Sequence, residues 1–269
     1  MELDIRGKVA IVTGGSKGTG KVCVEVLASQ GVRVAACARG FEILKSVAEE
    51  ITSRTETEVL PVRADVTSSE DVKRFISAAY DRFGRIDILV NNATLVNRWA
   101  GSEGPAALEI PDEYWLNHFN IKLIGNVRCI REVLPYMRER KWGRIINMAG
   151  GATRSGGGTQ GSNNSATINL TKVLSDEVAK DGITVNAIHP GGGGGGGGTE
   201  IRVRELAERQ GISIAEAEAQ QERRRQQRPG PRVEARDTAN MVLFLSSDKA
   251  AAITGQAICV TGLTNGVYY

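Results

Sequence analysis

The chain has 269 residues, 41% of them hydrophobic and 24% charged, with a formal net charge of +3. That length suffices for one α/β domain over 1–269 with a large buried core, and the composition excludes a disordered or fibrous chain. So small a net charge favours no nucleic acid or other polyanion, and no apolar run reaches the roughly 18 residues that span a bilayer.

The opening MELDIRGKVAIVTGG begins with acids, balanced by Arg6 and Lys8, and runs into a strand and a glycine turn. It lacks the basic, apolar and small-residue sections of a signal peptide, so a cytoplasmic location is expected. Cys23, Cys37, Cys129 and Cys259 are widely spaced in apolar surroundings and are read as buried thiols. His118 and His189 lack metal-site spacing, so no metal is expected.

Short β-rich runs alternate with amphipathic helical stretches. A strand over 8–13 leads through a glycine turn into a helix over 18–30. Strands over 32–37, 58–62 and 86–91 alternate with helices over 41–53 and 69–83. A long helix over 111–140 precedes a strand over 143–149, a helix over 160–181 and strands over 183–188 and 256–260. The alternation predicts a Rossmann-type, doubly wound parallel sheet of about seven strands with helices on both faces. Strands so apolar fit burial on both sides.

Residues 191–236 interrupt the pattern and are read as a lid-like insertion. It begins with eight consecutive glycines, 191–198, which are either a flexible loop or stand-ins for side chains never identified. The rest is rich in Glu, Gln and Arg. Its basic run over 222–228 has acids interspersed and is read as a solvated helical face rather than an anion patch.

The turn Gly14-Gly15-Ser16-Lys17-Gly18-Thr19-Gly20 follows the first strand and opens the first helix. Glycine there permits a tight turn and lets backbone approach a pyrophosphate, which the free N–H groups and dipole of the helix N-terminus attract. In this strand–turn–helix context the turn is read as a dinucleotide site. NAD-selective sites place a carboxylate after the second strand, but here Cys37-Ala38-Arg39-Gly40 carries none. Arg39 can make a bidentate contact to a 2′-phosphate, and Lys17 adds a second cation, so NADP is expected over NAD.

Further motifs accompany these. Asp65-Val66 follows the third strand, Asn91-Asn92-Ala93 the fourth and Pro190-Gly191 the sixth; Asn120 lies in the long helix, and Thr254-Gly255-Gln256 comes near the end. With TGGSKGTG, they make the chain resemble the short-chain dehydrogenase/reductase family over nearly its whole length outside 191–236. The resemblance implies that Asp65 and Val66 contact adenine and that Asn92 and Ala93 line the cofactor. It places Pro190 and Gly191 beside the nicotinamide and Asn120 in the active site. It also implies a homo-oligomer, expected to be a tetramer, acting on a small-molecule substrate.

In that family a Tyr moves the proton, a Lys four residues later lowers its pKa and holds the ribose, and a Ser polarises the carbonyl. Registering the helix by its end puts Gln160 at the Tyr position and Asn164 at the Lys position, and the fifth strand puts Gly150 at the Ser position. Amides orient ligands but do not titrate near neutrality. His189, before Pro190-Gly191, is the imidazole expected near the nicotinamide, with either a structural role or that of substitute acid. Three functions stay open: an NADP(H)-dependent oxidoreductase with divergent or impaired acid–base chemistry, a non-catalytic NADP(H)-binding sensor or partner subunit, and a lyase or cyclase reusing the pocket.

Overall fold

A computed structural model describes residues 2–95, 106–150, 158–190, 197–227 and 233–262. The strands β1 (Val9–Thr13), β2 (Arg33–Ala38), β3 (Val59–Arg63), β4 (Ile88–Asn91), β5 (Gly143–Met148), β6 (Ile183–Pro190) and β7 (Ala257–Val260) pair in parallel in the order β3-β2-β1-β4-β5-β6-β7. The order reverses between β1 and β4. In such sheets a crevice opens there, beyond the carboxyl ends of the strands.

Alternate residues of each strand feed two cores. Ala10, Val12, Val34, Ala36, Ile88 and Val90 pack under α1 (Gly18–Ser29), α2 (Phe41–Thr55) and α9 (Ala235–Leu245). Val9, Ile11, Ala35, Cys37 and Leu89 face the other way, toward α3 (Ser69–Phe83), α5 (Gly125–Glu139) and α6 (Thr159–Val178). Period-two side chains on a sheet covered on both faces must be apolar at nearly every position, and these are.

The helix expected over 111–140 is broken in a specific way. It comprises α4 (Asp112–Phe119), a π-helical turn over Asn120–Ile124, then α5. Such a turn widens the helix. Arg128 braces it against the loop after β3: its Nη1 donates to Asn120 O at 3.3 Å and to Val66 O at 3.2 Å. Gly125 closes the turn against the loop after β3, where an added Cβ would lie 3.0 Å from Val66 Cγ2.

Within the insertion, α7 (Gly197–Gln210) and α8 (Ile214–Gln226) form a helical pair. Val203, Leu206, Ala207 and Ala217 are its buried contacts. Ser213 and Glu216 cap α8 reciprocally, with Glu216 N donating to Ser213 Oγ at 3.2 Å and Ser213 N to Glu216 Oε2 at 2.9 Å. Most of the glycine run, 191–196, lies outside the described residues. Cys23, Cys37 and Cys129 are buried as expected, but Cys259 is exposed because β7 is an edge strand with less covering. No helix among the described residues is long and apolar enough to cross a membrane.

Candidate active site

The crevice at the end of β1 is built from backbone. Gly14 N and Gly15 N donate to Cys37 O at 2.9 and 3.1 Å, which folds the turn over the end of β2. Gly14 and Gly18 have φ of 69° and 56°, the left-handed region that favours glycine. Gly20 is required for packing, since a Cβ there would lie 2.2 Å from Gly14 O. Thr13 ties in the loop after β4: its Oγ1 accepts from Asn92 N and Ala93 N, each at 3.0 Å. Asn92 Nδ2 donates to Thr13 O at 3.0 Å and Gly14 O at 3.1 Å.

This cradle suits an anion. Lys17 caps α1 without a side-chain hydrogen bond, and the first turn of α1 holds no acid, so Ser16 to Gly20 present an unneutralised helix N-terminus. Lys17 and Arg39 are exposed and have no ion-pair partner among the described residues. Across the crevice Asp65 is braced, its Oδ1 accepting from Thr67 N at 2.9 Å and Thr67 Oγ1 at 2.8 Å, while Val66 is buried.

A second cluster lies beyond β5 and β6. Gly150 follows β5, and its carbonyl accepts from His189 Nδ1 at 2.6 Å. His189, on β6, is buried, and its pKa is lowered first by desolvation, against the raising effect of that hydrogen bond. An imidazole so placed is neutral at pH 7 and braces the loop. Asn164 is fully buried on α6, with Gln160 half-buried one helical turn before it on the same face. Pro190 ends β6, and Gly191 lies outside the described residues.

The structure does not join Asn120 to this cluster by a hydrogen bond. Its Oδ1 accepts from Arg128 Nη1 at 2.9 Å. Two residues on, Lys122 is buried and makes the hydrogen-bonded contact to the cluster that Asn120 does not. Its Nζ donates to Asn164 Oδ1 and to Ala149 O, the latter at 2.5 Å. Burial alone pushes the Lys122 ammonium down to about 7. His118, also buried, is pushed down to about 4 by desolvation and by Lys122. The sequence reading missed Lys122, although it left a signal. Lys122 sits between Ile121 and Leu123 with no acid three or four positions away, which is unusual for a solvated helix lysine.

A doubly wound sheet with a glycine-walled anion cradle at its switch point, and a buried polar cluster beside it, defines a dinucleotide-binding protein of the Rossmann class. More particularly, the chain belongs to the short-chain dehydrogenase family, whose model matches residues 8–202. It is 36% identical, over 94% of its length and 92% of the relative's, to a granaticin polyketide synthase protein of Streptomyces violaceoruber assigned as ketoacyl reductase 1. It is 32% identical to the 3-oxoacyl-[acyl-carrier-protein] reductase FabG of Staphylococcus epidermidis, over 95% of this chain and 98% of that one. Among solved structures, L-sorbose reductase from Gluconobacter frateurii complexed with NADPH and L-sorbose superposes with a TM-score of 0.89 over 100% of both chains, at 29% identity.

Proposed function

We propose that this chain is an NADP(H)-dependent oxidoreductase of a carbonyl or alcohol, with an acid–base set that departs from its family's. The observation that carries this is the cradle: an open helix N-terminus with the unpaired cations Lys17 and Arg39 beside it and no carboxylate after β2. The relatives support the direction of reaction, being named for ketoacyl reduction, and the solved L-sorbose reductase holds NADPH. β-Ketoacyl thioesters and keto-sugars are the substrate classes to try first.

The residues divide the work as follows. Backbone N–H groups of Gly14 to Gly20 hold the pyrophosphate, and Arg39 and Lys17 take the 2′-phosphate. Asp65, Val66, Asn92 and Ala93 line the adenosine half, with Pro190 and Gly191 beside the nicotinamide. The reduced nicotinamide, when bound, supplies hydride. On the protein side, Gly150, Gln160 and Asn164 occupy the Ser, Tyr and Lys positions that the family resemblance implies. None of the three can donate a proton near neutrality, so the proton comes from solvent or from a titratable neighbour in the cluster, His189 or Lys122.

The same departure favours a second reading, a non-catalytic NADP(H)-binding subunit. Titration with NADPH and NADH, followed by NADPH absorbance with a panel of ketones, keto-sugars and β-ketoacyl thioesters, separates the two. Binding without turnover selects the second. A homo-oligomer, as a tetramer, is part of the proposal. The apolar groove between α5 and α6, lined by Val127, Ile130, Leu134, Leu170 and Leu174, supports it.

A further inference from the structure

Lys122 is a cation inside the protein. It has no carboxylate partner among the described residues, and its described partners are two oxygens: the backbone carbonyl of Ala149 and the side-chain oxygen of Asn164. An ammonium has only donors, so it fixes which way the Asn164 amide points. The oxygen must face Lys122, and the N–H group must face away. That Nδ2 is buried and has no hydrogen-bond partner among the described residues. It points toward Gly150, where an added Cβ would lie 2.4 Å from it. The absence of a side chain at Gly150 therefore leaves room for the amide to reach the site. A buried, unpaired N–H group is costly unless a ligand satisfies it.

We propose that Lys122 and Asn164 form one positioning unit, in which the Lys122 ammonium holds the Asn164 oxygen and turns the amide N–H group toward a hydroxyl or carbonyl oxygen of the bound ligand. The ligand oxygen belongs to either the nicotinamide ribose or the substrate. The inference rests on the reading of the chain as an NADP(H)-dependent oxidoreductase. It moves the role given to Asn120 two residues along the π turn to Lys122, the turn being a local widening that often marks functional sites. The unit is also sensitive to pH. Among the described residues, the titratable groups facing Lys122 are His118 from α4 and His189 from β6, both with lowered pKa values. With both neutral, the proton on Lys122 decides whether the amide stays locked. A neutral amine can accept as well as donate, so its deprotonation frees the amide to flip.

The test uses three variants. Asn164→Asp keeps the shape and the Lys122 contact but removes the N–H group. Asn164→Leu removes both, and Lys122→Met removes the charge at similar length. Each is checked for folding by circular dichroism, then titrated with NADPH and assayed with a β-ketoacyl thioester. NADPH affinity falling about tenfold in Asn164→Asp and Asn164→Leu assigns the oxygen to the ribose. Unchanged NADPH affinity with kcat/KM falling tenfold or more assigns it to the substrate. Either result supports the unit, as does loss in Lys122→Met of the wild-type decline above pH 7. Folded variants within twofold of wild type in both measurements overturn it. Wild-type protein that fails to bind NADPH at all overturns the oxidoreductase reading, and this inference with it.

Discussion

Lys122 on the π turn reaches across to Asn164 on α6, its Nζ donating to the amide oxygen. The resemblance places an amide on the long helix and a cation four residues after residue 160. The structure puts the cation on the long helix and the amide at residue 164. On the proposed reading, the pair is retained with its members exchanged.

That exchange changes how the usual chemistry would be restored. Asn164→Lys alone places a second buried ammonium against Lys122, an unpaired charge worth about 3–5 kcal/mol of stability. Gly150→Ser alone drives a Cβ to 2.4 Å from Asn164 Nδ2. The variant combining Gly150→Ser, Gln160→Tyr and Asn164→Lys should therefore gain carbonyl reduction only when Lys122→Asn is added. The expected gain is about a hundredfold, the contribution of a placed general acid. NADPH absorbance and Tm are the measurements. Equal Tm for the three- and four-site variants would reject the exchange.

Cofactor preference should reside in Arg39. NADPH is expected to bind more tightly than NADH, and Arg39→Ala to weaken NADPH binding by about 1.5 kcal/mol while leaving NADH nearly unchanged. Because Arg39 is exposed, added salt should erode the preference. Calorimetric titration at low and high salt checks both, and equal wild-type affinity for the two cofactors sinks the idea.

Stability should rise with pH between about 7 and 9. Lys122 titrates near 7 when folded but at 10.5 as a free side chain, so in this window the unfolded chain holds a proton that the folded chain lacks. Unfolding then takes up a proton, and stability increases by up to about 1.4 kcal/mol per pH unit. Below 7 both states are protonated and the cost of burying the charge is fully present. Above the free thiol value of 9.0 the trend is opposed, because Cys23 and Cys37 are pushed up to about 12 by burial and hold protons that the unfolded chain releases. Denaturant midpoints should show the rise in wild type and lose it in Lys122→Met. A variant curve parallel to wild type across pH 7–9 would contradict the assignment.

His189 should prove structural. Burial keeps it neutral, and its Nδ1 proton is committed to Gly150 O. His189→Gln, which can still donate, is expected to keep turnover within about fivefold, whereas losing a general acid costs about 10²–10⁴. A steep loss in His189→Gln would make it the acid.

Leu170→Arg, in the groove between α5 and α6, should reduce the oligomer to smaller species in light scattering. A wild-type monomer at micromolar concentration would reject the assembly itself.

The sequence by itself determined the sheet, the order of its layers and the nucleotide end of the site, because these are local. Strands apolar at nearly every position declare burial on both faces, and Gly14, Gly18 and Gly20 declare a tight turn before a helix within eight residues. The lack of an acid beside Arg39 is likewise readable in four letters. The tertiary structure decided the catalytic end. Asn120 is assigned from the family resemblance, and the structure shows that it opens a π turn, which a 3.6-residue period cannot register. Nothing local says that Lys122 is buried or that Asn164 is its partner. That follows only when α6 and the π turn pack over the ends of β5 and β6, where removing water turns an ordinary lysine into a group titrating near pH 7.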